Sequence, residues 1–468
     1  MQRTRTFLFS LLFIEGVMFI NDVSAQEIKD TMQNSRIYPS TGYRGIWFEL
    51  GQKTEFGDKY SGGLGTYTAN HVPMAAYSAR EKKTFFTYGG TVKGKRHLLI
   101  MVGYYDHKTG QVSRPYIVHD KEGVNDPHDN GSLTIDAQGH IWVFVSGRGQ
   151  VRPGFKYRSV RPFDIKAFEL IATSEVTYPQ PWILPGGDFL HLFTKYTAGR
   201  ELYFHSSSDG RVWGEEHKLA GFGGHYQVSG EHGGKVATFF NYHPGGDVDL
   251  RTNLYYAQTT DGGQTWTTAD GKVLELPLDK VDNAALVFDY AAQGTLMYTC
   301  DLNFDKDGNP LLLYVTSKHA HPGPKGDPRE FVVARWDGGT WQTYSVASTD
   351  HNYDMGSLYV AGDEWTVIAP TAPGPQAGHT GGEMVKWTSR NSGKTWHQER
   401  DITRGSTLNH TYARRPHPAN DPFFAFWADG DPTRYSESRL YFCDSSGKRV
   451  FRLPEEMQGD FAMPVELK

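Results

Sequence analysis

The chain has 468 residues, with 48 Lys plus Arg set against 53 Asp plus Glu for a net charge of −5. Aromatic residues reach 14% alongside 52 Gly and 24 Pro, a load too aromatic for a disordered chain and too rich in glycine for a helical bundle. The basic surplus with which nucleic-acid binders neutralise phosphates is missing, so no nucleic-acid partner is expected.

Residues 1–25 read as a signal peptide. Arg3 and Arg5 precede an apolar run from Phe7 to Ile20, and Val23-Ser24-Ala25 supplies a small-residue cleavage site. A secreted or periplasmic protein is expected, without a lipid anchor because no cysteine stands near that site. No later run reaches the roughly 20 apolar residues of a membrane span. Residues 26–54 form a lead-in. From there a strand–turn–strand unit recurs seven times, with its turns at Glu81, Gly139, Gly187, Gly234, Gly308, Gly362 and Asn420. A spacing of roughly 50 residues is that of a four-stranded propeller blade. The longest gap, from Gly234 to Gly308, places an insertion near residues 244–290. The pattern predicts one all-β domain over 55–468, a seven-bladed β-propeller of four-stranded antiparallel blades, monomeric. Thr259–Trp266 and Ser389–Trp396 carry Asp-box turns, the second with Asn391 in place of Asp. These tie a turn and pack a Trp between sheets, so their role is structural.

In such a fold the segment leading into each first strand and the loop after each second strand open on one face. The first position holds His71, His128, Tyr178, His225 beside Tyr226, Cys300, His351 and His410. The second holds Arg148, Tyr196 with Arg200, Tyr242 with His243, His319 with His321, His379, and Trp427 with Asp429. Histidine recurs in most of the first slots, far more often than 19 His in 468 residues would place it by chance. A functional face is expected there.

Carboxylates are scarce in these slots, whereas ordinary glycoside hydrolysis asks for a flanking pair of them. His, Tyr and Arg suit β-elimination from a uronic acid. A cation neutralises the sugar carboxylate, a Tyr or His removes the C5 proton, and another protonates the leaving oxygen. The expected partner is therefore an anionic, uronic-acid-containing polysaccharide.

The runs GYRGIWFELGQ (42–52), YSGGLGTYTANHVPMAAYS (60–78), DPHDN (126–130), TYPQPW (177–182) and FTKYTAGRELYF (193–204) resemble the BNR-type propellers of secreted polysaccharide-degrading systems. That group includes ulvan lyases, rhamnose–glucuronate lyases and rhamnosidase-like proteins. The resemblance implies His128 and Tyr196 as catalytic residues, Arg200 as the carboxylate-neutralising cation and Tyr242 as a substrate-binding group. Arg148 stands where those lyases tend to have a second His. Arg148, His71, Tyr178 and His225 complete the expected substrate-binding face. His71 resembles a His of the rhamnosidase-like members, which keeps an exo-α-L-rhamnosidase open, and a non-catalytic carbohydrate-binding propeller is the other alternative. No organic cofactor is expected. Cys300, His319, His321 and His351 offer one thiolate and three imidazoles, the donor set of a closed structural zinc site, and the resembling lyases share such a zinc.

Overall fold

The computed structural model describes residues 39–124 and 126–467; the expected signal peptide and the start of the lead-in lie outside them. The described chain is an all-β propeller of four-stranded antiparallel blades. Five sheets each take four consecutive strands, starting at Gly131–Ile135, Thr177–Ile183, Gln227–His232, Leu296–Phe304 and Ser357–Ala361. We number these the second to sixth. The seventh, opening at Asn409–Arg414, has five strands.

The first sheet, opening at Ala75–Ser78, has nine strands and draws on both ends of the chain. Gly45–Glu49, expected in the lead-in, pairs there with Lys83–Gly90 and with Ser436–Ser438, while Phe461–Ala462 pairs with Gln111–Ser113. Among the described residues no helix is long and apolar enough to cross a membrane.

Second strands such as Ile141–Val145, Lys235–Tyr242 and Pro310–Ser317 are buried along nearly their whole length, because each is covered on both faces by neighbouring sheets. Aromatic pairs fill the gaps between sheets: Trp142 meets Phe189 at a 5.1 Å ring separation, Tyr256 meets Trp341 at 5.2 Å, and Phe86 stacks on Phe423 at 5.0 Å. The Asp boxes behave as turn ties. Thr265 N donates to Asp261 at 2.9 Å and Thr395 N to Asn391 at 3.0 Å, with Trp266 fully buried. The insertion runs between Thr252–Thr259 and Leu286–Phe288, the third and fourth strands of the fourth sheet.

Candidate active site

The starts of the first strands in sheets one to four meet. His128 lies in the short turn Pro127–Asp129, where Asp126 accepts from its backbone N at 3.0 Å and from its Nδ1. That contact fixes the tautomer: Nδ1 carries the hydrogen and Nε2 is left as an acceptor, 3.3 Å from the Tyr67 hydroxyl. Burial, ahead of the opposing pull of Asp126, lowers the His128 pKa, with Arg148 and Arg200 adding to the effect. The imidazole is therefore neutral at neutral pH. Asp126 also accepts from Arg148 Nη1 and Arg152 Nη2, each at 2.6 Å. Burial alone would raise the Asp126 pKa, but His128 and Arg148 hold it well below the usual carboxylate range.

His71 is bonded at both ring nitrogens, to Thr66 Oγ1 at 3.2 Å and to the His128 carbonyl at 3.1 Å. Burial lowers its pKa to about 3. It is a strut under His128 with no free nitrogen for a substrate. Tyr178 packs against both imidazoles, at ring separations of 5.2 and 5.5 Å. It is aimed there by a bulge between Thr177 and Gln180 and by a φ of 55°, strained backbone of the kind that gathers at functional sites.

Tyr226 stands 5.6 Å from Tyr178, ring to ring. Two guanidinium groups lie against it, Arg251 at 4.4 Å and Arg200 at 5.8 Å from the ring centre. Among the described residues neither arginine has a carboxylate partner in salt-bridge range, and Arg200 Nε and Arg251 Nη2 are buried without any hydrogen-bond partner. Burial would raise the Tyr226 pKa, yet the two cations, helped by the Tyr67 and Tyr178 hydroxyls, bring it below the usual tyrosine value. Tyr196 goes the other way: burial pushes it up to about 12, and its hydroxyl has no partner. Arg200 lies 5.5 Å from the Tyr196 ring across the same hairpin, and Gly149, at φ 54°, lets the loop carrying Arg148 approach that ring. The Arg148 side chain is 42% exposed and forms the rim.

Six expected residues thus converge: His71, His128, Arg148, Tyr178, Tyr196 and Arg200. Two do not. His225 is fully buried with Nδ1 on the Asn241 carbonyl at 2.8 Å and Nε2 accepting from Phe222 N at 3.3 Å, and Tyr242 packs on Phe222. In both places the neighbouring residue faces the cluster instead: Tyr226, and His243 at 5.0 Å from it. Successive side chains in extended backbone point to opposite faces, so a one-residue choice decides which member of a pair joins the site. Tyr67 and Arg251 belong to neither expected slot. Tyr67 is adjacent to the ANHVP run, and Arg251 precedes a third strand, where the repeat offers no signal.

The four expected zinc ligands do not gather. Cys300 Sγ lies 3.5 Å from Met355 Sδ, and burial pushes its thiol up to about 12. His351 is bonded to Thr380 Oγ1 at 3.2 Å, while His319 and His321 sit in a loop with His321 Nε2 3.7 Å from Asp249. Among the described residues no three His, Cys, Asp or Glu side chains are placed to hold a metal ion. The donor set does not fit zinc in this arrangement.

The model of a BNR repeat-containing family matches residues 77–349, more than half of the chain. This chain belongs to that family. Comparison of this BNR protein with curated proteins finds no match. Among solved structures it is similar to an ulvan lyase of polysaccharide lyase family 25, with a TM-score of 0.68 and 17% identity over 87% of this chain and 96% of the other. It is similar also to such a lyase bound to -[GlcA(1-4)Rha3S]-, with a TM-score of 0.69 and 16% identity over 87% and 96% of the two chains. The polysaccharide lyase Uly1 follows at 0.58 and 14%, over 86% and 99%. At these identities the likeness is one of fold.

Proposed function

We propose that this BNR protein is a polysaccharide lyase that cleaves a uronic-acid-containing glycan by β-elimination, on a propeller of seven blades. The observation that carries the reading is the pair of guanidinium groups without carboxylate partners, Arg200 and Arg251, both against a tyrosine whose pKa they lower. A uronate carboxylate supplies the missing anion. Its neutralisation favours the enolate-like intermediate at the adjacent carbon.

Two tyrosines with pKa values driven apart divide the proton work, as acid and base do when environment separates them. Tyr226, the more easily ionised, takes the C5 proton. The electron pair of that C–H bond forms the C4–C5 double bond as the bond from C4 to the glycosidic oxygen breaks. Tyr196, held protonated, donates to the leaving oxygen. His128, neutral and anchored by Asp126, accepts from Tyr67 and orients the hydroxyls around Tyr226. The glycans of the similar lyases suggest a rhamnose–glucuronate linkage. The rhamnosidase alternative built on His71 gains no support, since both nitrogens of that ring are engaged.

Incubation with a polymer of glucuronate and 3-sulfated rhamnose is expected to give an ultraviolet-absorbing unsaturated product. Release of saturated uronate with free rhamnose would sink the lyase reading. Binding without any product would make the protein a carbohydrate-binding propeller.

A further inference from the structure

A cleft of about 310 Å³ opens between residues 402–407, which link the sixth sheet to the seventh, and the seventh sheet itself. That is within the size range of ligand pockets. Its wall includes Ser406 and the start of Asn409–Arg414, a first strand like those that begin beside Tyr226, so the cleft borders the face carrying the tyrosine cluster.

The wall is internally saturated. Trp427 Nε1 donates to His410 Nδ1 at 3.0 Å, which leaves the imidazole hydrogen on Nε2, 2.9 Å from Ser406 Oγ. Ser406 then donates to Glu383, through Oγ at 2.8 Å and N at 2.7 Å. Asp429, 1% exposed, accepts from Tyr441 OH, Arg439 N and Arg439 Nε, all at 2.8 Å. Glu383 and Asp429 are therefore engaged before any ligand arrives.

What remains on its surface is cationic. Arg439, Lys448, Arg452 and the exposed Arg404 line it, with Asp429 the one acid among the lining residues. Arg404 is held by Asp401 at 2.6 Å, and Glu455 adds an opposing charge near Arg439. Lys448 and Arg452 have no ion-pair partner among the described residues, and the next arginine, Arg449, is already paired to Glu466 at 2.9 Å.

We propose that this cleft is a second saccharide-binding site, which takes a sulfate or carboxylate group of an anionic glycan through Lys448, Arg452 and the outer nitrogens of Arg439. Guanidinium groups suit such oxyanions because they donate two parallel hydrogen bonds. The choice of a uronate- or sulfate-bearing chain rests on the lyase reading; the demand for an anion does not. A polymer held here presents a neighbouring stretch to the tyrosine cluster.

The test titrates sulfated glucuronate–rhamnose oligosaccharides, and inorganic sulfate alone, into an H128A background, in which turnover is expected to be slowed at least about a hundredfold. Adding K448E/R452E is expected to weaken oligosaccharide binding about tenfold, with the neutral pair K448S/R452Q intermediate and the melting temperature of both within a few degrees of the parent. With His128 intact, K448E/R452E should raise KM for long polymer and leave kcat, and the cleavage of a tetrasaccharide, unchanged. Equal affinity in all three backgrounds overturns the cleft, even if cleavage is observed. Loss of binding in K448E/R452E without cleavage of any uronate glycan by the native protein keeps the cleft and removes the lyase.

Discussion

The same position in the repeat has two fates in this molecule. At the starts of sheets one to four stand His71, His128, Tyr178 and Tyr226, and they meet one another within about 6 Å, ring to ring. In sheets five to seven the corresponding residues are Cys300, in the middle of the strand Leu296–Phe304, His351, ahead of its strand, and His410, at the start of its own, each closed off by its own neighbour: Met355, Thr380 and Trp427. Burial lowers the imidazole pKa in both groups, to about 3 for His71 and for His351 alike. Burial therefore does not separate chemistry from packing. The density of charge does: Asp126, Arg148, Arg200 and Arg251 crowd the first group together, whereas each member of the second has a single separate arginine in range, Arg414 at Cys300, Arg329 at His351 and Arg439 at His410.

The contrast predicts a graded set of effects. The largest falls on the first group: H128A and Y226F should each lower kcat by about 10²–10⁴, whereas H351Q and H410Q should leave kcat within about twofold. Comparable losses in both groups would erase the distinction. Next comes the pH profile. In the proposed mechanism Tyr226 acts deprotonated, so the rate should rise with pH through a value below 10, and R251Q, by removing one cation, should move that limb to higher pH. An unmoved limb in R251Q would assign the base elsewhere. His128 has a lowered pKa and should not impose an acid limb near 6.5.

The second group should show its worth in stability, with H351Q or H410Q costing about 1–3 kcal/mol in denaturant unfolding through unpaired buried partners. A chelator is expected to leave the melting temperature unchanged, and a drop would restore a metal site near Cys300. The smallest effect is at an Asp box, where D261A should cost about 1 kcal/mol and leave cleavage untouched.

Much of the architecture was legible because a repeat reports the same event many times. The turns at Gly139, Gly187 and Gly308 all fall between first and second strands, and the long interval before Gly308 marks a real insertion. The site was legible where one residue in a slot is clearly polar or aromatic, as with His128, Tyr178, Tyr196 and Arg200. It was not legible at His225–Tyr226 and Tyr242–His243, where two plausible candidates are adjacent and only the backbone twist selects between them. Arg251 lies outside the repeated slots altogether. Its place is fixed by the aromatic rings of Tyr60, Tyr298 and Tyr353 around it, contacts made by distant parts of the chain. Donor type at the repeated slots suggested zinc ligands at Cys300, His319, His321 and His351, but donor type carries no information about convergence.

The first sheet joins strands from both chain ends, and its Arg44–Glu437 contact spans 393 residues of sequence. During synthesis at about 5–20 residues per second, Gly45–Glu49 waits for most of the translation time before Ser436–Ser438 emerges to pair with it. The ring is thus sealed last by its own beginning. A chain cut after the sixth sheet would expose an unmatched sheet edge beside the Tyr67 and His71 segments, so the proposed activity would report that translation has run to completion.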